Sequence, residues 1–256
     1  MIKKMLNLIV KENKQLNNQY FLLILGSSDE LPEMHPGQFV EVRVDYSPET
    51  FLRRPISINF VDYSKNELWL LIQIVGEGTR KLSFCKNGDL LNLLLPLGNS
   101  FTIPNKSDSK LLLVGGGVGI APLLYLGSKL KEAGIVCDFL LGGRSKDNLL
   151  QLEEFSNYGN VYTTTEDATY GEKGFVTNHS ILKKNKYDLI YTCGPTPMMK
   201  AVAAYAKSTN TECEVSLENT MACGFGACLC CVTDSTDGHV CVCTEGPVFN
   251  ISKLKW

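Results

Sequence analysis

The 256-residue chain has no block of five like charges, and 25 basic against 27 acidic residues leave a formal net charge of only −2. That balance excludes a nucleic-acid footprint and a polybasic membrane anchor. Long apolar runs are also missing. The longest, Leu111 to Gly127, is broken by Gly115, Gly116, Gly117 and Gly119, so it reads as strand, turn and helix rather than a membrane span. The N-terminal MIKKMLNLIVKENKQ has two lysines but too short an apolar stretch for an export signal. A cytoplasmic protein without a membrane segment is expected. Repeats and low-complexity tracts are absent. The ten cysteines fall well short of the roughly 8–10% of a disulfide scaffold. What remains is a globular composition, 44% hydrophobic and 20% charged, on a chain long enough to bury a core unaided.

The placement of the cysteines is informative. Cys85, Cys137, Cys193 and Cys213 are scattered, whereas Cys223, Cys228, Cys230, Cys231, Cys241 and Cys243 crowd into one short segment. In a reducing compartment such crowding points to metal.

Residues 1–104 read as short strands at Tyr20–Leu25, Phe39–Val44, Pro55–Val61 and Glu67–Val75, separated by turn signals, which predicts an antiparallel β-barrel or sandwich. A polar linker is expected at Asn105–Ser109. From there to residue 217, strands at Lys110–Val114, Gly134–Leu141, Asn160–Thr164, Tyr187–Thr192 and Glu212–Leu217 alternate with helices. The helices are placed at Ala121–Ala133, Asp147–Phe155, Thr177–Leu182 and Pro197–Lys207, which predicts an α/β domain with a parallel sheet. Residues 218–256, rich in Cys and Gly, read as a small appended metal lobe without a regular core.

Four motifs carry chemistry. In the first, strand Leu111–Val114 runs into Gly115-Gly116-Gly117-Val118-Gly119-Ile120-Ala121-Pro122, a glycine turn where helix N–H groups can meet a phosphate. The alternative is a tight structural turn. Asp138 lies too early in its strand to reach a ribose. The second is Cys193-Gly194-Pro195 at the carboxyl end of a strand, either a ligand-facing turn or a half-buried cysteine before a helix-opening proline. The third is Arg54-Pro55-Ile56-Ser57, in which the arginine suits a pyrophosphate and the hydroxyl a ring heteroatom; an edge strand with a surface arginine is the plainer reading. Gly76-Glu77-Gly78-Thr79 ends the strand Glu67–Val75 and opens a helix, with Thr79 expected as its N-cap and its neighbouring N–H groups suited to phosphate. The fourth is Cys223-x4-Cys228-x2-Cys231 with a later Cys243, the ligand ordering of plant-type [2Fe–2S] centres. A zinc site from Cys228, Cys231, Cys241 and Cys243 is the alternative.

Taken in order, Pro36-Gly37-Gln38-Phe39, Arg54-Pro55-Ile56-Ser57, Gly78-Thr79, Gly115 to Pro122 and Cys193-Gly194-Pro195 resemble the ferredoxin–NADP reductase superfamily over residues 1–217. Met221 to Cys231 with Cys243 to Phe249 is similar to a narrower family, the electron transfer subunits of NAD-dependent, type B dihydroorotate dehydrogenase. That resemblance implies three parts: an FAD-binding β-barrel (1–104), an NAD-binding α/β domain (105–217) and a [2Fe–2S] lobe (218–256). It implies an oxidoreductase subunit of pyrimidine biosynthesis, with a separate FMN-containing catalytic subunit in a complex of two plus two chains. Arg54, Pro55, Ile56 and Ser57 would then face FAD, Leu71, Ile72 and Gln73 would line the flavin pocket, and Gly78 and Thr79 would hold its phosphates. Gly116, Gly117 and Gly119 would face NAD, with Cys193 beside the nicotinamide as the catalytic residue, and Cys223, Cys228, Cys231 and Cys243 would ligate iron. Ile56 stands where the superfamily often has an aromatic residue, and Cys230 where a non-sulfur residue is usual. Two other readings remain: the flavin subunit of a bifurcating NAD(P)H–ferredoxin oxidoreductase, which has an aspartate in place of Cys223, and a zinc-stabilised nucleotide-binding regulatory module. NAD against NADP is undecided, since Arg144 in Gly142-Gly143-Arg144-Ser145 suits a ribose or a 2′-phosphate. The chain offers no acid–base pair for dihydroorotate itself.

Overall fold

The computed structural model describes residues 2–45, 47–106 and 108–256. The expected linker Asn105–Ser109 includes Ser107, which lies outside the described residues.

Seven strands occupy the first hundred residues: β1 (Lys4–Gln15), β2 (Tyr20–Gly26), β3 (Phe39–Val42), β4 (Arg54–Ser57), β5 (Phe60–Asp62), β6 (Glu67–Gln73) and β7 (Leu90–Leu97). They pair in the order β4-β3-β7-β1-β2-β6-β5, each neighbour antiparallel. Strand β4 comes back against β6, which curls the sheet. Leu8, Val10, Phe21, Leu23, Leu25, Leu68, Leu70, Leu93 and Leu95 are fully buried, each burial contributing about 1.5–3 kcal/mol. The single strand expected over Pro55–Val61 is two, because Ile58 and Asn59 leave the ladder. Their N–H groups donate instead to Gln38 O (3.0 Å) and Trp69 O (3.0 Å). The N-terminal segment, for which the sequence suggested no element, forms β1.

The short helix α1 (Glu77–Leu82) begins from Gly76, and Thr79 is its third residue rather than its cap. The Thr79 hydroxyl accepts from Val75 N (3.0 Å) and Gly76 N (3.2 Å) and lies 3.1 Å from Gly76 O. It therefore ties the turn together from inside.

The second sheet contains β8 (Leu111–Gly116), β9 (Cys137–Gly143), β10 (Gly159–Thr165), β11 (Glu172–Lys173), β12 (Leu189–Cys193) and β13 (Glu212–Ser216). They run parallel in the order β11-β10-β9-β8-β12-β13. Crossovers carry α2 (Ala121–Glu132), α3 (Leu152–Ser156), α4 (Ile181–Lys184) and α5 (Thr196–Ser208). The helix expected over Asp147–Phe155 is a 3-10 turn, Lys146–Asn148, followed by α3. That over Thr177–Leu182 is the turn Val176–Asn178 followed by α4. Strand order reverses at β8, so its carboxyl end and that of β12 frame the crevice where open α/β sheets take ligands.

Beyond β13 the chain passes through the cysteine loop into a hairpin of β14 (Val232–Ser235) and β15 (Gly238–Cys241). It then adds β16 (Val248–Asn250) antiparallel to β13. A segment expected to lack a regular core thus contributes an edge strand.

By internal contacts the chain forms two compact bodies. One is Met1–Ser100 with Asn219–Thr233 and His239–Pro247; the other is Phe101–Glu218 with Asp234–Gly238 and Val248–Trp256.

Candidate functional site

Three groups of predicted residues assemble, the first on β4 and α1. Arg54 opens β4 opposite Val42 of β3, and Ser57 closes it opposite Phe39. All four β4 side chains are half-buried. The Arg54 guanidinium lies over Gly78: a Cβ at residue 78 would stand 2.6 Å from Nε and 3.1 Å from Cζ. Its Nη1 donates to Leu52 O at 2.8 Å, which fixes the fork. A fixed guanidinium above a bare backbone fits a pyrophosphate. Leu71 and Ile72 are buried in β6 and Gln73 is half-buried, so the first two supply packing and backbone.

The second group lies at the carboxyl ends of β8 and β12. Cys193 is in register with Gly115 on one side and Ser216 on the other. After Gly116 the chain makes a 3-10 turn, Gly117–Ile120, into α2, whose first turn holds Pro122. Gly119 packs so closely on the next turn that a Cβ there would overlap the Cα of Gly194. Two glycine turns thus meet, leaving backbone where side chains would otherwise stand, the arrangement a dinucleotide phosphate needs. Met198 of α5 faces both turns, its sulfur 2.6 Å from a Cβ built on Gly116. Cys193 is fully buried. Burial holds its thiol well above the usual range, the charge of Glu218 adds to this, and a hydrogen bond with Ser216 opposes it. Burial thus favours the neutral form of the Cys193 thiol. Asp138, at the opposite end of β9, accepts from Tyr187 Oη (2.7 Å) and Asn160 Nδ2 (2.8 Å) and is a structural anchor.

The third group is the cysteine loop. Cys231 and Cys243 are buried, Cys223 is half-buried and Cys228 exposed. Phe225 N donates to Cys223 Sγ (3.5 Å) and Cys243 N to Cys231 Sγ (3.4 Å). Burial, the largest single influence, raises the Cys223 thiol, but the N–H groups of Phe225, Cys228 and Ala227 with the Cys228 side chain together outweigh it and bring Cys223 down to about 6. Burial pushes Cys243 up to about 12, reinforced by its hydrogen bond with Cys231. Among the described residues no three His, Cys, Asp or Glu side chains form a ready-made metal cage. The fit lies in the donors: four thiols on one loop and the following turn, with backbone N–H groups directed at sulfur, as an iron–sulfur centre requires.

Sequence reasoning missed Glu41. It is fully buried in β3, and neither carboxylate oxygen has a hydrogen-bond partner among the described residues. A Cβ on Gly224 of the cysteine loop would stand 2.8 Å from its Cγ. Burial lifts its carboxyl to about 7, Arg53 opposes this, the Cys223 thiolate adds to it and Arg54 opposes. The available signal was a lone charge inside the apolar run Phe39-Val40-Glu41-Val42. Met198, also missed, offered none beyond its position three residues past Pro195.

Two family models match the chain. The iron–sulfur cluster binding domain of dihydroorotate dehydrogenase B matches residues 218–255, and the oxidoreductase NAD-binding domain residues 113–204. Among curated proteins, the dihydroorotate dehydrogenase B (NAD(+)) electron transfer subunit of Shouchella clausii is 38% identical over 253 residues, 96% of each chain. That of Bacillus velezensis is 37% identical over 98% of this chain and 99% of its own. Among solved structures, an NADH-dependent reduced ferredoxin–NADP oxidoreductase studied for flavin-based electron bifurcation superposes with a TM-score of 0.87. It is 32% identical over 98% of this chain and 90% of that one. The fold is thus ferredoxin–NADP reductase-like, as the motif order implied. Among the described residues no helix is long and apolar enough to cross a membrane.

Proposed function

Since the chain belongs to the family of dihydroorotate dehydrogenase B (NAD+) electron transfer subunits, we propose that it relays electrons from a dihydroorotate-oxidising partner to NAD+. The partner is a separate FMN-containing catalytic subunit, in a cytoplasmic complex of two plus two chains serving pyrimidine biosynthesis. When bound, a [2Fe–2S] cluster would supply one-electron transfer, and FAD the link between single electrons and the two-electron hydride chemistry of nicotinamide.

The chain's own residues are assigned accordingly. Cys223, Cys228, Cys231 and Cys243 hold the iron, and the N–H groups of Phe225 and Cys243 stabilise thiolate charge at two of them. Arg54, lying over Gly78, would hold the FAD pyrophosphate. Thr79 keeps that turn in shape, Pro55, Ile56 and Ser57 border the ring, and Leu71, Ile72 and Gln73 wall the pocket. Gly116, Gly117 and Gly119 would admit the NAD phosphates, and Cys193 with Met198 would line the nicotinamide end of that crevice. Cys228, Phe225 and Leu229 are exposed together, which suits an edge that receives electrons from another chain.

The observation that carries this reading is the C-x4-C-x2-C…C set on a loop whose amides already point at sulfur. The bifurcating reading draws on that structural likeness, a TM-score of 0.87 at 32% sequence identity. It is disfavoured by Cys223 at the position expected to be aspartate in that enzyme, and by the greater identity to the dihydroorotate relatives. The test is composition. Protein co-expressed with its partner and purified without oxygen should hold about two irons and two sulfides per chain, the content of one [2Fe–2S] cluster, together with FAD. Zinc without flavin would overturn the proposal.

A further inference from the structure

Two cysteines of the loop region, Cys230 and Cys241, are left over by the four-ligand assignment. They differ sharply in their surroundings. Cys230 is exposed and directly precedes the buried Cys231. Cys241 is half-buried, and its thiol is within hydrogen-bonding reach of Cys231. The Cys243 thiol reaches that same sulfur. The backbone holds the arrangement in place. Val242 N donates to Cys231 O (3.2 Å) and Cys243 N to Cys231 Sγ (3.4 Å), so the 241–243 segment is clipped to Cys231 at two points. Thr244 N (3.1 Å) and Glu245 N (2.9 Å) both donate to Cys241 O, and the Glu245 carboxylate takes the Cys241 N–H at 2.6 Å. Two thiols on one rigid turn therefore flank the buried cysteine that closes the C-x4-C-x2-C set.

We propose that Cys241 is a reserve ligand of the cluster, able to take the iron position of Cys243. The proposal rests on the iron–sulfur reading above. The exchange is a substitution at iron: the Cys243 thiolate leaves and is protonated, while Cys241 gives its proton to solvent and binds as thiolate. Four thiolates still surround the same core, and no oxidant or reductant is consumed. The proposed redundancy lies on the Cys231–Cys243 side of the loop.

The test uses the anaerobically purified complex and reads iron, acid-labile sulfide and the electron paramagnetic resonance spectrum of the reduced protein. Cys243→Ser should keep most of its iron and show a [2Fe–2S] signal with shifted g values. Cys241→Ser/Cys243→Ser and Cys228→Ser should each lose the signal. Loss in Cys243→Ser as complete as in the double variant, with FAD retained, would overturn the proposal. If Cys243→Ser also loses its FAD and so fails to fold, Cys241→Ser decides the matter. With Cys243 intact it should load fully yet release iron to a chelator faster than the unsubstituted complex, and an equal rate would overturn the idea. An unsubstituted complex without iron or sulfide would instead defeat the iron–sulfur reading itself.

Discussion

The guanidinium of Arg54 covers Gly78, its Nε 2.6 Å from the place a Cβ would take. A residue at the start of one strand and a residue in the first turn of a helix more than twenty positions later thereby make one cradle. Removing the fork in Arg54→Ala should weaken FAD by about 1.5–3 kcal/mol, the range for hydrogen bonds to charged groups, or roughly ten- to a hundredfold. Equilibrium dialysis of FAD against the variant measures it, and unchanged affinity would refute the assignment.

Gly119 tests the nicotinamide side independently. A Cβ there overlaps the backbone of Gly194, and overpacking of this kind costs about 1–3 kcal/mol. Gly119→Ala should raise the KM for NADH with FAD content intact. Loss of FAD with normal NADH affinity would mean that the glycine turns serve something else.

Cys228→Ser should remove the cluster and abolish dihydroorotate-driven reduction of NAD+. NADH oxidation by an artificial acceptor should persist, because Arg54, Gly78 and the glycine turns are untouched. Loss of both activities at normal FAD content would contradict this separation.

Glu41 gives a pH signature. Its folded value of about 7 lies above the ordinary 4.5, so between those values the folded protein holds a proton that the unfolded chain has released. Its contribution is complete below pH 4.5 and disappears as pH rises to about 7, a change of at most about 3 kcal/mol. Glu41→Gln should therefore raise the thermal midpoint over the unsubstituted protein at pH 8 and much less at pH 5. Equal gains at both would show that the carboxyl does not titrate in this window.

The division into a strand-rich and an alternating region was legible because turn residues and apolar runs punctuate both. Strands β1 and β7 were not. Lys4–Gln15 carries charge at both ends and buries fully only Leu8 and Val10. Leu90–Leu97 is mostly leucine, which favours helix as readily as strand and shows no period of two. Pairing of β16 with β13 was invisible because it joins segments distant in sequence. The proposed ligand set comes from its spacing alone. Glu41 was not legible, because nothing local shows that a charge in a strand will face a loop 180 residues later. The role of Thr79 was misread for a similar reason: a threonine near a helix start is a cap or a third residue, depending on where the helix begins.

The most direct measurement is electron paramagnetic resonance of the complex under anaerobic conditions, after adding dihydroorotate without NAD+. A rhombic [2Fe–2S] signal should appear, and adding NAD+ should quench it with formation of NADH. A cluster that stays silent with dihydroorotate while NADH still forms would contradict the relay through Cys223, Cys228, Cys231 and Cys243.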